Sequence, residues 1–379
     1  MRKKVLLLLA LFLTVSLMFI ATGCPPAADQ AQNGEVVAPV ETITWKMQTP
    51  WPTGMYLHDG PLRFAEKVEA MSGGRLKIEV TPAGTIVGAF DILDAVSDGV
   101  LDAGQGWAAY WAGRHPAAHL FSSTVGGPFG MDNLDYVSWL YFGGGLELYR
   151  QLYTEEMGLN VKVFPMDIIV EEPLGWFKEE ITSLEELKGL KMRESGLTAE
   201  VYSKAGITVV AMPGGEILPS LERGVIDAAA FMCPTSDKQL GLMDVAKYYH
   251  TPSLHRPSGT LELLINQDRW NELPADLQAI VEVAAKETLL HTWMRGIFLN
   301  SADLQTLKEE HDVQIVRTPD DVLEMQLEAW AEVAAGHSAN NPFFAEVFAS
   351  QREHAERVVR YRREFYLPYG FAADHYWAE

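Results

Sequence analysis

The residues best equipped for chemistry do not assemble into a catalytic set. His115 and His119 stand four apart, the spacing that puts two imidazoles on one helix face. The glutamate of a zinc-protease motif is missing between them, and Pro116 would have to start the helix, so a loop with ordinary packing is the better reading. Gly143-Gly144-Gly145 lacks the lysine and the serine or threonine of a phosphate loop, and no G-x-S-x-G elbow occurs. Cys233 has no neighbour that would activate a thiol and reads as a small buried hydrophobe. Glu171 and Glu172 are adjacent, so on a strand they face opposite sides. The chain therefore reads as a non-enzyme without a catalytic cofactor. One side chain is set up for binding instead. Ser183-Leu184-Glu185-Glu186 has the form of a capping box, the helix it starts ends at Lys188-Gly189, and a short strand over 190–192 then presents Arg193 before a turn at Ser195-Gly196. A guanidinium at a strand end can grip a carboxylate through two parallel hydrogen bonds. The bare sequence leaves a surface pair with Glu194 equally open.

The elements that must position Arg193 alternate between strands and helices. Residues 43–48 and 75–80 read as strands, 61–71 and 90–98 as helices. Asp98-Gly99-Val100-Leu101-Asp102-Ala103 is echoed by Arg223-Gly224-Val225-Ile226-Asp227-Ala228, a helix stop at glycine followed by entry to a strand, which suggests two lobes built on related plans. Residues 159–177 are β-branched and aromatic and break at Pro165 and Pro173, so they read as a strand leaving lobe one and crossing to lobe two. Residues 251–270 read as the return. Two crossings imply a hinge and a cleft at the strand ends. Beyond Trp270 the chain is mostly helical, over 274–310 and 320–366, with one strand near 313–316. The expected fold is α/β: two lobes like a periplasmic binding protein, hinge strands, a central cleft and long C-terminal helices. Lobe one takes 41–165 and about 252–310, lobe two 166–251 and about 311–330, and 331–379 form a C-terminal helical segment. Trp51, Trp107, Tyr110 and Trp176 fall at strand ends or loops bordering the cleft, where rigid aromatics can close over a ligand; core packing is an equal alternative for each.

The N-terminus speaks to location. Arg2, Lys3 and Lys4 precede an apolar run over 5–20, and Ala21-Thr22-Gly23 leads into Cys24. That is a secretory signal over 1–23 ending like a lipoprotein cleavage site, although Ala21 stands where leucine is usual. A membrane-spanning anchor is the weaker reading, because the run falls short of ~20 residues. Residues 24–40 are small, polar and proline-bearing and read as a tether from a lipidated Cys24. The chain would thus be exported and held at a membrane surface, periplasmic or on the cell exterior. Lipidation would leave Cys233 as the one thiol and exclude an internal disulfide. The net charge is −21, and the leader carries three of the basic groups. So acidic a surface excludes nucleic acid as a partner and requires a locally placed cation for any anionic ligand.

Six collinear segments carry a family resemblance: residues 73–104, 110–117 (YWAGRHPA), 128–149, 187–196 (LKGLKMRESG), 212–228 (MPGGEILPSLERGVIDA) and 263–278. The chain resembles the solute-binding proteins of tripartite ATP-independent periplasmic (TRAP) transporters, DctP-like, and is most similar to the branch that binds 2-oxo and 2-hydroxy monocarboxylates. The resemblance implies a receptor that takes a small organic acid to a permease of small and large membrane subunits. It implies that Arg193 is the carboxylate ligand, and it favours Tyr110 and Trp176, which lie in or near the matching segments. A receptor of the same fold for an amino- or hydroxyl-bearing ligand without a metal, or a sensor or enzyme on this fold, is the alternative.

The resemblance also implies a metal ion, Na⁺ or Ca²⁺, bridging ligand and protein, and here this chain departs from the pattern. The branch draws metal ligands from a glutamine in Q-x-x-G-W-F and from a glutamate followed by tryptophan after the V-I-D-A joint. This chain has Glu172 at the first position, and Ala230 followed by Phe231 at the second. Either a cation bridges Glu172, the Phe231 carbonyl and the ligand, or none binds and Glu172 pairs with Arg193 or receives a different ligand. A bare Glu172 beside a ligand carboxylate would repel it by about 4 kcal/mol at 4 Å and an effective dielectric of about 20. The aromatic tail over 361–379 reaches a second subunit, as the resembled branch implies for a homodimer, or folds back on its own lobe; the sequence leaves both open.

Overall fold

The computed structural model describes residues 42–377; the leader, the tether and Cys24 lie outside the described residues. Two mixed sheets organise the chain. Sheet one has the order β2-β1-β3-β10-β4, from β1 (Ile43–Gln48), β2 (Leu76–Thr81), β3 (Ala103–Gly106), β4 (Val161–Ile168) and β10 (Thr260–Asn266). Sheet two has the order β11-β9-β5-β8-β6-β7, from β5 (Gly175–Phe177), β6 (Lys191–Arg193), β7 (Thr208–Val210), β8 (Ala228–Ala229), β9 (Tyr248–Thr251) and β11 (Gln314–Arg317).

The sequence echo is a structural one. In sheet one β1 pairs in parallel with both β2 and β3, and β10 runs antiparallel beside β3. In sheet two β6 pairs in parallel with both β7 and β8, and β5 runs antiparallel beside β8. Helix α1 (Asp59–Ser72) and helix α2 (Ile92–Ser97) make the first set of crossovers; α3 (Thr198–Lys204) and α4 (Ile217–Glu222) make the second. The repeated aspartate does the same work twice. Lys46 N–H donates to Asp102 at 2.7 Å and Lys191 N–H donates to Asp227 at 2.9 Å, while each aspartate N–H returns a bond to the same lysine's carbonyl. That double tie fixes the register in which Gln48 opposes Gly104 and Arg193 opposes Ala229. Arg193 is thus the sheet-two counterpart of Gln48, at the carboxyl end of a parallel strand where α/β folds bind ligands.

Helix α1 buries Gly60, Phe64, Val68 and Ser72, one every four residues, against sheet one. Phe64 and Val68 are fully buried with Trp45, Met47 and Leu263, each such side chain contributing about 1.5–3 kcal/mol. Beyond α5 (Pro234–Gln239), the 36-residue α6 (Ala275–Glu310) runs about 54 Å at 1.5 Å per residue and delivers the chain back to sheet two at β11. Its Asp303 pairs with Lys238 and its Asn300 accepts from Thr235 N–H at 2.9 Å, both on α5.

Three sequence expectations need correction. Pro165 does not end the first strand: β4 is an edge strand, where a missing N–H is tolerated, and it bulges between the pairs Asp167–Leu261 and Pro165–Glu262. Sheet one therefore runs on to Ile168, past the predicted lobe boundary. The segment from Ser183 is a single 3₁₀ turn (Leu184–Leu187) in which Glu186 accepts from the Thr182 N–H at 2.7 Å and Ser183 caps nothing. The predicted helix over 320–366 is two, α7 (Asp320–Asn340) and α8 (Pro342–Phe365), because Pro342 cannot continue the ladder and Asn341 caps the new start through Phe344 N–H at 2.7 Å. A last helix, α9 (Tyr369–Trp377), buries no side chain.

Candidate functional site

A small, tightly lined cavity lies where the strand ends of the two sheets meet. Trp51, Trp107 and Tyr110 follow strands of sheet one, Glu172 lies on the crossing between β4 and β5, Arg193 ends β6 and Phe231 follows β8; all six line the cavity. Leu57, Ile169, Met232 and Leu261 complete a mostly apolar wall. Trp51 meets Phe231 edge-on from the opposite sheet, with centroids 6.2 Å apart. Trp51 is itself anchored: its indole N–H donates to Gln105 at 2.7 Å, and Gln105 donates to Asp167 at 2.5 Å. Burial pushes the Asp167 carboxyl up to about 7.

Arg193 is fully buried, yet its partners are neutral. Its Nη1 donates to the Ala230 carbonyl at 2.9 Å, and Nε and Nη2 both donate to the Met212 carbonyl at 3.2 Å. These carbonyls follow β8 and β7, so three neighbouring strand ends hold the guanidinium. Of its five N–H groups two remain. Its charge faces no carboxylate among the described residues, so the surface pair with Glu194 is not formed. The Phe231 ring lies beneath it at 5.6 Å, and Tyr110 stands nearby with its hydroxyl pKa raised by burial against the opposing pull of Arg193 and Arg256.

Glu172 pairs with a residue the sequence reading missed. Arg256 Nη1 donates to both Glu172 oxygens at 3.0 Å each, and Nη2 donates to Glu194 and to the Ser195 carbonyl at 3.1 Å. The Arg256 guanidinium also stacks over Trp107 at 4.5 Å. Burial alone would raise the Glu172 carboxyl, but Arg256 and His255 hold it below its ordinary value. His255 Nε2 lies 3.4 Å from Glu172 and 3.7 Å from Glu194. One cue was available: Arg256 sits in the return crossing, and a charged residue on a segment bordering the cleft has to face either the cleft or a partner there.

Trp176 lies elsewhere. It is buried against sheet two, stacked on Tyr249 at 4.2 Å and donating to Asp237 of α5 at 2.8 Å, and does not line the cavity. Strand alternation turns it to the face that α5 covers. The discounted candidates are likewise structural. His115 caps a 3₁₀ segment (Pro116–Phe121) that contains His119, and their Nδ1 atoms accept from Ala117 and Leu197 N–H respectively. Burial takes His119 down to about 3, so it stays neutral, and lifts the Cys233 thiol to about 12. Glu171 is exposed while Glu172 is buried.

Residues 47–340 match the family described as bacterial extracellular solute-binding protein, family 7 (DctP). The monocarboxylate 2-oxoacid-binding periplasmic protein of Nostoc sp. is 32% identical over 349 residues, covering 92% of this chain and 94% of that protein. A TRAP transporter solute binding protein from Bordetella bronchiseptica, a mixed-occupancy dimer with copurified calcium and picolinate in one site and the other apo, superposes with a TM-score of 0.82 at 27% identity, over 89% of this chain and 97% of that one. A TRAP periplasmic solute binding protein from Colwellia psychrerythraea with bound calcium and pyruvate gives 0.81 at 31% identity, over 86% of this chain and 98% of that one.

Proposed function

The chain belongs to family 7 of the bacterial extracellular solute-binding proteins, and from that premise we propose that it holds a small 2-oxo or 2-hydroxy monocarboxylate in the cavity between its sheets and hands it to a TRAP permease of small and large membrane subunits. One observation carries the reading: Arg193 is buried at the cavity with a full charge, only carbonyl partners and two N–H groups left over. Two parallel N–H groups match the two oxygens of one carboxylate. Apart from Glu172, the rest of the wall is apolar or aromatic, which suits a ligand with one charged end and a short body. Pyruvate and picolinate, the ligands of two relatives, are both of that kind, each with a second acceptor beside the carboxylate.

Calcium accompanies those ligands in the relatives, whereas here the Glu172 carboxylate that would be offered to a cation is already paired. Both Glu172 oxygens accept from Arg256, and residue 230 is an alanine without a carboxylate. The same pairing relieves the repulsion that a bare Glu172 would exert on a ligand carboxylate, so a simple acid needs no amino group to be accepted. We read the chain as a receptor, as the family description has it, and not as an enzyme.

The receptor is exported by its leader and held at the membrane by acyl chains on Cys24, with 24–40 as tether. It works as a homodimer, in which the exposed Tyr369, Phe371, Tyr376 and Trp377 of α9 meet a second copy; these side chains bury nothing on their own chain. Binding is tested by thermal shift on ligand-stripped protein with 2-oxo acids, 2-hydroxy acids, dicarboxylates and amino acids. A monocarboxylate at 100 times its Kd should add about 2.7 kcal/mol. A shift only for amino acids or dicarboxylates would overturn the ligand class.

A further inference from the structure

We propose that Arg256 does in this chain what a cation does beside the ligand in its relatives, so that monocarboxylate capture here is independent of Na⁺ and Ca²⁺. The inference rests on the reading of the cavity as a carboxylate site. Its own support is the geometry around Glu172. A carboxylate that lines an anion-binding cavity needs a positive charge beside it, and the Arg256 guanidinium places one 3.0 Å from each Glu172 oxygen, shared with Glu194. Arg256 is held at its tip and on one face: Glu194 and the Ser195 carbonyl take Nη2, and Trp107 covers its face at 4.5 Å, while Nε has no partner. It is fully buried, so solvent does not screen the pair.

A cation placed on Glu172 would share its oxygens with that guanidinium and meet a like charge at hydrogen-bonding distance. The acid that would offset this is absent, since Ala230 presents only its carbonyl, and that carbonyl is bonded to Arg193. The charge-bearing atoms near the cavity thus form two separate systems. Arg193 is anchored by carbonyls and free for the ligand, while Arg256 is consumed by Glu172 and Glu194. His255 completes the second system, with Nδ1 on the Ser253 hydroxyl at 2.6 Å and Nε2 aimed between the two glutamates. Glu172, Glu194 and His255 do bring three potential ligand atoms within 4.8 Å of one another, and Glu194 Oε2 and His255 Nε2 have no hydrogen-bond partner. Arg256 bonds both carboxylates of that trio, which is why the trio reads as an ion-pair network and not as a metal cage.

The test uses the purified protein, unfolded and refolded in a chelator-treated, sodium-free buffer. Calorimetric titration with the potassium salt of pyruvate is run in that buffer and again with 1 mM Ca²⁺ or 100 mM Na⁺. The expected result is a Kd that changes by less than about threefold; a larger loss on removing the cations overturns the proposal. Ca²⁺ and Na⁺ are also titrated alone. One-site binding of either overturns it, and no binding supports it even if pyruvate proves to be the wrong acid, a failure the ligand panel reports separately. Arg256→Gln adds an independent readout: it leaves Glu172 and Glu194 without their guanidinium, so Ca²⁺ should raise the variant's Tm and not that of the parent. If the variant does not fold, the measurements on the parent protein still decide.

Discussion

Replacing Arg193 by methionine removes the charge and keeps most of the side-chain volume. Of the five N–H groups three are taken by the Met212 and Ala230 carbonyls, which leaves two for the ligand. Hydrogen bonds to a charged group contribute about 1.5–3 kcal/mol each, so a carboxylate held by both stands to lose about 3–6 kcal/mol. At 1.4 kcal/mol per decade that is a fall in affinity of about 10²- to 10⁴-fold. Stability should drop too, through a different route: two buried carbonyls lose their donor, at about 1–3 kcal/mol each. The two effects separate experimentally. Calorimetry at a temperature where circular dichroism shows the variant folded reads binding alone, and a melting curve reads the carbonyls. Arg193→Lys keeps the charge but not the fork, so it should recover part of the stability and little of the affinity. If folded Arg193→Met binds within about threefold of the parent, the carboxylate is held elsewhere and the assignment of the site falls.

Glu172→Gln takes one of Arg256's two carboxylates away while Glu194 remains; breaking a buried pair should lower stability by about 3 kcal/mol, read by denaturant unfolding, without weakening monocarboxylate affinity. Asp167 has a folded pKa raised by burial to about 7 against an ordinary value of 3.8, so the unfolded chain holds fewer protons between those values and stability falls as pH rises across that window. Asp167→Asn, which can still accept from Gln105, should flatten that decline by a few kcal/mol in unfolding curves at pH 5 to 8; an unaltered slope would rule the group out. Gly175 opens β5 at a φ of +138°, and a Cβ there would lie 2.6 Å from the Ala229 carbonyl oxygen, so Gly175→Ala should cost about 2 kcal/mol or more in the melting curve. Deleting the chain after Phe365 removes the exposed aromatic residues of α9 and should convert a dimer to a monomer by light scattering while leaving the melting temperature of the lobes nearly unchanged.

Much of the frame was legible in the residues. The glycine stops and the repeated D-A joints marked two equivalent strand entries because a left-handed stop and a side-chain cap are local chemistry. Residues 43–48 and the long helix after Pro274 followed from periodicity and a proline start. The place of Arg193 at a strand end before a turn was visible because that too is a local feature, while its role as carboxylate ligand was implied only by the resemblance. Less local matters went astray. Pro165 was read as a break because its tolerance depends on β4 being an edge, which is a property of strand order. Trp176 was read as a cavity residue because its composition and position suit either face, and only the packing of α5 and Tyr249 decides which.

The partner of Glu172 shows the division most clearly. The sequence, read beside the family pattern it resembles, showed an acid where that pattern has glutamine and an alanine where it has an acid, and a bare carboxylate at a cavity for anions needs a compensating charge. It could not say which cation supplies it. Arg256 lies 84 residues away on a segment with no pattern to mark it, and the pair exists because the two crossings between the sheets run side by side, with Glu172 N–H bonded to the Arg256 carbonyl at 3.1 Å. Local structure follows from short-range sterics and hydrogen bonding, which the order of residues encodes directly. A buried ion pair is a meeting of distant segments under low dielectric, and only the folded chain brings them together.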